Sequence, residues 1–186
     1  MDQLQETFLH REVLVEGKLL HVYRDTVILS DGSESIREWI NHPGASAVVP
    51  LFDDETTLLI RQFRYPPQQI FIELPAGKLD VPNEPPLDTA KRELAEETGY
   101  DALQWDYLGV CFPGIGYSNE IIHLFLARNL HPSTVEPIPG EFVTPFRLPL
   151  TEALRMAYHG EITDAKTALG LIRAAAFLEQ KMTTER

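Results

Sequence analysis

Glutamates at 93, 96 and 97, preceded by Arg92, are the residues here whose types and spacing most invite chemistry. They lie in the stretch Gly77 to Tyr100, where a turn-rich loop leads into a segment with helical spacing. On a helix, separations of three and four residues place side chains on one face. Like charges so placed repel, and one such pair costs roughly a few tenths of a kcal/mol. A hard divalent cation turns that cost into a binding site, because Mg²⁺ takes oxygen ligands from a few carboxylates together with substrate phosphates. The competing reading is that a glutamate-rich helix is only a solvated face.

The helix that must present these groups opens at Pro85-Pro86, which suits a first turn where a missing N–H costs little. Leu87, Ala90 and Leu94 make its apolar face, and Gly99 stops it. Ahead of it, residues 8–16, 18–29 and 35–40 read as three strands, with Asp31-Gly32 as a turn between the second and third. This front section is too thin to bury a core alone, so it must pack on the main domain or on another subunit. Residues 45–52 read as a stronger strand, followed by a hairpin turn at Asp53-Asp54-Glu55 into a strand over 57–62. Residues 70–74 form another strand, ended by Pro75.

Past the glutamates, 107–112 and 120–127 read as strands joined by the loop 113–119. A Pro-rich loop is expected over 129–141, then a strand over 142–148. A short helix capped by Thr151 should end at Gly160, and a final helix should start at Asp164. Strands and helices mix without a regular βαβ alternation. The expected class is α/β in the α+β sense: a mixed sheet between helices, with an N-terminal antiparallel sheet subdomain. The expected division is 1–43 for that subdomain and 44–186 for the main domain.

A chain of 186 residues, 44% hydrophobic and 24% charged, suits an ordinary globular protein with a sizeable core. Its net charge of -12 argues against non-specific binding to nucleic acid or to an anionic membrane. A phosphate-bearing substrate would then need local arginines or a metal. The single Cys111 rules out an intramolecular disulfide framework and fits a reducing compartment. The polar first residues are unlike a signal peptide, and no apolar run approaches the ~20 residues of a membrane span. The expectation is a soluble, cytoplasmic protein.

The stretch Gly77, Glu84, Arg92-Glu93-Leu94, Glu96-Glu97, Gly99-Tyr100 resembles the Nudix box, Gly-x5-Glu-x7-Arg-Glu-apolar-x-Glu-Glu-x-Gly-apolar. Six residues rather than five separate Gly77 from Glu84, and the extra one falls in the loop ahead of the helix. The flanks Arg61-Gln-Phe-Arg64, Glu73-Leu-Pro-Ala-Gly-Lys78, Gly116-Tyr-Ser-Asn-Glu120 and Asp164-Ala-Lys-Thr167 are similar to those of ADP-ribose pyrophosphatases and related nucleoside-diphosphate-sugar hydrolases. Those hydrolases usually carry a proline about fifteen residues beyond the box; here that place is Ile115, with Pro113 two residues earlier.

The resemblance implies hydrolysis of the pyrophosphate of ADP-ribose or a related nucleoside diphosphate sugar, with Mg²⁺, or alternatively Mn²⁺, as cofactor. GDP-mannose-type or broader sugar-nucleotide hydrolysis is the runner-up. A non-catalytic nucleotide-sugar sensor is a further alternative, although such a module would tend to lose the box glutamates. By the same resemblance Glu93 and Glu97, then Glu96, are the side-chain metal ligands, joined by the backbone carbonyl of Ala76. Arg92 orients the glutamates. A general base is expected on the loop before the last strand, at Glu141 in preference to Glu136, with the helix glutamates themselves as the alternative. Arg37, Arg64 and Glu120 are expected to contact substrate, and Trp39 offers a ring for base stacking, with plain packing as its alternative. The family also implies a homodimer that exchanges its N-terminal sheet, while the acidic charge and the lack of a long apolar run argue against a nucleic-acid or membrane partner.

Overall fold

The computed structural model describes residues 4–135 and 142–184. The chain divides into two compact units, one of Met1–Gly44 with Phe112–Ile121, the other of Ala45–Cys111 with Ile122–Arg186.

The first unit is built on an antiparallel sheet of β1 (Thr7–Glu16), β2 (His21–Ile28) and β3 (Glu34–Asn41), in the order β1-β2-β3. Gly32, at φ 85°, makes the turn into β3 in the left-handed region that glycine adopts without strain. β1 is an edge strand, exposed at nearly every position. The segment 112–121 is stitched to the end of β3. Ile40 donates its N–H to Tyr117 O at 2.7 Å, and Asn119 Oδ1 accepts the N–H of His42 at 2.8 Å.

The second unit holds two sheets and three helices. A four-stranded mixed sheet runs β7 (Ala76–Lys78), β4 (Ala45–Pro50), β9 (Ile122–Pro132), β8 (Tyr100–Cys111). β4 and β9 are parallel, and the other pairs are antiparallel. A three-stranded antiparallel sheet runs β10 (Val143–Pro149), β5 (Thr56–Arg64), β6 (Gln69–Glu73). The helices are α1 (Pro86–Thr98), α2 (Leu150–Tyr158) and α3 (Ala165–Thr184).

Alternation along the central strand β4 explains the layering. Val48 faces one side and clusters with Leu94 of α1 and Ala127 of β9. Ala47 and Val49 face the other side, with Leu124, Leu126, and Leu171 and Ala174 of α3. A helix therefore covers each face of the mixed sheet, as the expected class requires. Leu94 is fully buried, which stabilises by about 1.5–3 kcal/mol relative to exposure. Among the described residues no helix is long and apolar enough to cross a membrane.

Several local expectations are corrected. The turn after β4 forms, with Glu55 at φ 61° and Phe52 donating to Thr56 O, but the strands around it do not make a hairpin. They part after a single Leu51–Thr57 bridge and join different sheets. β4 is buried at every position and is claimed on both edges by β7 and β9. β8 begins directly after α1, and β9 continues to Pro132, so the first residues of the loop expected over 129–141 are instead paired with the start of β8. α2 starts one residue before Thr151, with Pro149 at its N-cap and no side-chain cap. The main helix behaves as expected: Pro86 stands at its first turn, and Gly99 closes it at φ 73°, donating to Ala95 O.

Candidate active site

Arg92 organises the glutamates of α1. Its Nε and Nη2 donate to the two oxygens of Glu84, each at 3.1 Å. Its Nη1 donates to Glu93 Oε1 at 2.6 Å and to Glu96 Oε2 at 3.1 Å. Thr89 Oγ1 adds a 2.7 Å bond to Glu84. The Arg92 bonds, with that from Thr89, hold the Glu84 carboxyl below its ordinary range. The inserted residue ahead of Glu84 thus does not prevent it from reaching Arg92. Asn83, at φ 63°, takes up a left-handed turn in the loop, which asparagine tolerates better than most residues.

Glu93 and Glu97 face the loop rather than solvent, and both are buried. Glu97 Oε2 accepts the backbone N–H of Ala76 at 2.9 Å. Glu93 lies directly over Gly77: a Cβ built there would stand 1.8 Å from Glu93 Oε1. Glycine at 77 leaves the Glu93 carboxylate the space that a side chain would otherwise take. Strand β7 fixes this loop by pairing Ala76 with Ala47 and Gly77 with Ser46. Two buried carboxylates against a backbone turn, with a third and fourth beside them, are a set of hard oxygen donors. The Arg92 bridge and the Ala76 amide offset the cost of burying them. Among the described residues no three His, Cys, Asp or Glu side chains are already gathered as a cation cage. The donor type and the Gly77 cradle fit a divalent cation that would draw the Glu93 and Glu97 oxygens together with a backbone carbonyl and substrate oxygens.

Arg64, at the end of β5, donates through Nε and Nη2 to Glu73 at 2.7 and 2.8 Å. Its fork is engaged with a carboxylate that is 2% exposed. Lys166 Nζ also donates to Glu73, and reaches Asp164 Oδ2 at 2.9 Å. Burial works to raise the Glu73 carboxyl. The Arg64 hydrogen bonds and the Lys166 ammonium overcome it and hold the group below its ordinary range. The sequence marks members of this buried cluster singly, as a glutamate at the end of an apolar strand and an Asp three residues before a Thr at a helix start, but not that they meet.

Three substrate-contact candidates, Arg37, Trp39 and Glu120, belong to the first unit. Arg37 of β3 donates Nε to Glu6 Oε2 at 3.0 Å and Nη1 to Ser35 Oγ at 2.8 Å. Trp39 donates Nε1 to Asp25 at 3.0 Å, packs edge-on against Tyr23, and carries the Arg11 guanidinium over its ring. Its ring is therefore engaged in packing within the sheet. Glu120 lies 3.7 Å from His42 Nδ1. The base candidates Glu136 and Glu141 fall outside the described residues.

Comparison with known proteins adds the following. A model of the NUDIX domain matches residues 41–167. An ADP-ribose pyrophosphatase of Bacillus subtilis is 37% identical over 173 residues, covering 92% of this chain and 93% of that protein. A methanol dehydrogenase activator of Bacillus methanolicus is 36% identical, covering 90% of this chain and 91% of its own. Among solved structures, an ADP compounds hydrolase superposes with a TM-score of 0.84 at 21% identity, covering 97% of this chain and 98% of the other, a likeness of fold.

Proposed function

The chain belongs to the Nudix family, and we propose that it is a divalent-cation-dependent pyrophosphohydrolase acting on ADP-ribose or a closely related nucleoside diphosphate sugar. The observation that carries this reading is the placement of the Glu93 and Glu97 carboxylates against the Ala76–Gly77 backbone. The B. subtilis relative's name supplies the substrate class.

In the reaction, a water oxygen bonds to one phosphorus, the bridging P–O bond breaks, and the water's proton leaves to a base. ADP-ribose and water give AMP and ribose 5-phosphate. Glu93, Glu97 and then Glu96, with the Ala76 carbonyl, would hold the cation, which we take to be Mg²⁺, with Mn²⁺ as substitute. When bound there, a divalent cation would neutralise phosphate charge and make a water easier to deprotonate. Arg92 fixes the carboxylate rotamers by holding Glu84, Glu93 and Glu96 at once. Glu141 is our candidate for the base, and Arg37, Arg64, Glu120 and Trp39 for substrate contacts, on the family resemblance. Contact by Arg64 would have to coexist with its Glu73 fork or replace it. We further read the protein as a cytoplasmic homodimer that exchanges its 1–43 sheet subdomain and leaves 44–186 as the hydrolase domain, with no nucleic-acid or membrane partner.

Ile115, at the place where ADP-ribose hydrolases usually carry a proline, favours a second substrate reading of GDP-mannose-type or broader specificity. The test of the site is Glu97→Gln. Turnover should fall at least about a hundredfold at saturating Mg²⁺, with the circular-dichroism melt preserved. Near-normal turnover in that variant would overturn the metal assignment.

A further inference from the structure

We propose that the first turn of α3 is a positioning device for the cation site, acting through Glu73 and Leu74 on the Ala76–Gly77 backbone. This rests on the metal-site reading above. The segment 73–77 is pinned at each residue in turn. The Glu73 carboxylate is held by Arg64 and Lys166. The Leu74 N–H donates to Thr167 Oγ1 at 2.8 Å. Pro75 O accepts from Val48 N at 3.0 Å. Ala76 N–H donates to Glu97, and Gly77 lies beneath Glu93.

The α3 end of this chain is itself fixed. Asp164 caps the helix, accepting the Thr167 N–H at 3.1 Å and the Thr167 hydroxyl on the same oxygen that takes Lys166. That orientation turns the Thr167 lone pairs toward Leu74. Thr167 is fully buried, and Gly170 brings α3 so close that a Cβ there would stand 2.6 Å from Leu74 Cδ1. No slack separates the helix from the strand end.

The chemistry of the cluster is a poor choice for stability alone. A buried ion pair is often replaceable by apolar side chains with no loss, because desolvation cancels much of the attraction. It is a good choice for fixing atoms. Three charged groups and a hydroxyl determine where residues 73 and 74 lie, only two residues before the backbone on which the cation depends. Groups that orient metal ligands from behind typically carry about ten- to a hundredfold in metal affinity.

The test is Mn²⁺ binding to the full chain without substrate, followed by electron paramagnetic resonance, beside thermal melts and kinetics. Thr167→Val removes the hydroxyl at similar size and should weaken Mn²⁺ binding about tenfold or more, whereas Thr167→Ser should restore it. Lys166→Met provides a second reading with the Leu74 bond intact. Loss of a positive charge would by electrostatics alone tighten Mn²⁺ binding, whereas loss of positioning weakens it. Weaker binding in folded Thr167→Val and Lys166→Met supports the device. Wild-type or tighter binding in Lys166→Met, or wild-type binding in folded Thr167→Val, overturns it. If Glu97→Gln itself binds Mn²⁺ as wild type does, the metal-site reading fails and the device with it. If Glu97→Gln weakens binding and the α3 variants do not, the device alone fails.

Discussion

At the scale of single residues, the site depends on one absent side chain as much as on the carboxylates. Glu93 can place its carboxylate where it does only because Gly77 has no Cβ to occupy that space. Gly77→Ala should therefore push the Glu93 carboxylate aside rather than unfold the chain, since the colliding group is a side chain and not backbone. We expect kcat/KM to fall about tenfold or more with little change in the melt, and steady-state kinetics beside circular dichroism will check it. Arg92 makes a complementary case. Arg92→Lys keeps the charge but cannot serve Glu84, Glu93 and Glu96 at once, so activity should fall even though the change is conservative. The glutamates and Arg92 were legible in the sequence because helical spacing alone puts them together. The steric reason for Gly77 was not, because it lies in a contact between a loop and a helix face.

At the scale of elements, local signals read well and partners read poorly. Pro86 and Gly99 bounded α1 correctly, since both act through their own backbone. The hairpin expected after β4 failed because the choice of partner strand is made by burial on both sides of β4, not by the turn. The contact of Glu73 with Lys166 joins residues far apart in the chain, and no local pattern predicts it. That contact has a pH signature. The folded Glu73 carboxyl titrates below its ordinary 4.5, so its contribution is complete above that value and is lost as pH falls through the lower folded value. Denaturant titrations should show stability dropping below about pH 4.5, with a shallower acid slope in Glu73→Gln than in wild type. Packing of α3 gives an independent expectation. Gly170→Ala should destabilise by about 1–3 kcal/mol in the same titrations, because the added methyl meets Leu74.

At the scale of the whole molecule, the N-terminal sheet leaves Phe8, Leu9, Val13, Val15 and Ile36 exposed. Four of these lie on the edge strand β1 and Ile36 on β3, an uncovered apolar surface of the kind that strand pairing buries. On the homodimer reading, light scattering at micromolar concentration should give twice the chain mass of 21.1 kDa, and a monomer there would count against sheet exchange. The acidic net charge of -12 accords with a protein that gathers phosphate only at a site with its own cation and arginines. The central claim, hydrolysis of a nucleoside diphosphate sugar, is tested most directly by product analysis after incubation with Mg²⁺ and ADP-ribose, GDP-mannose, ADP-glucose, NADH or a nucleoside triphosphate. The expected result is fastest turnover of ADP-ribose to AMP and ribose 5-phosphate; a clear preference for the triphosphate over all four would contradict it.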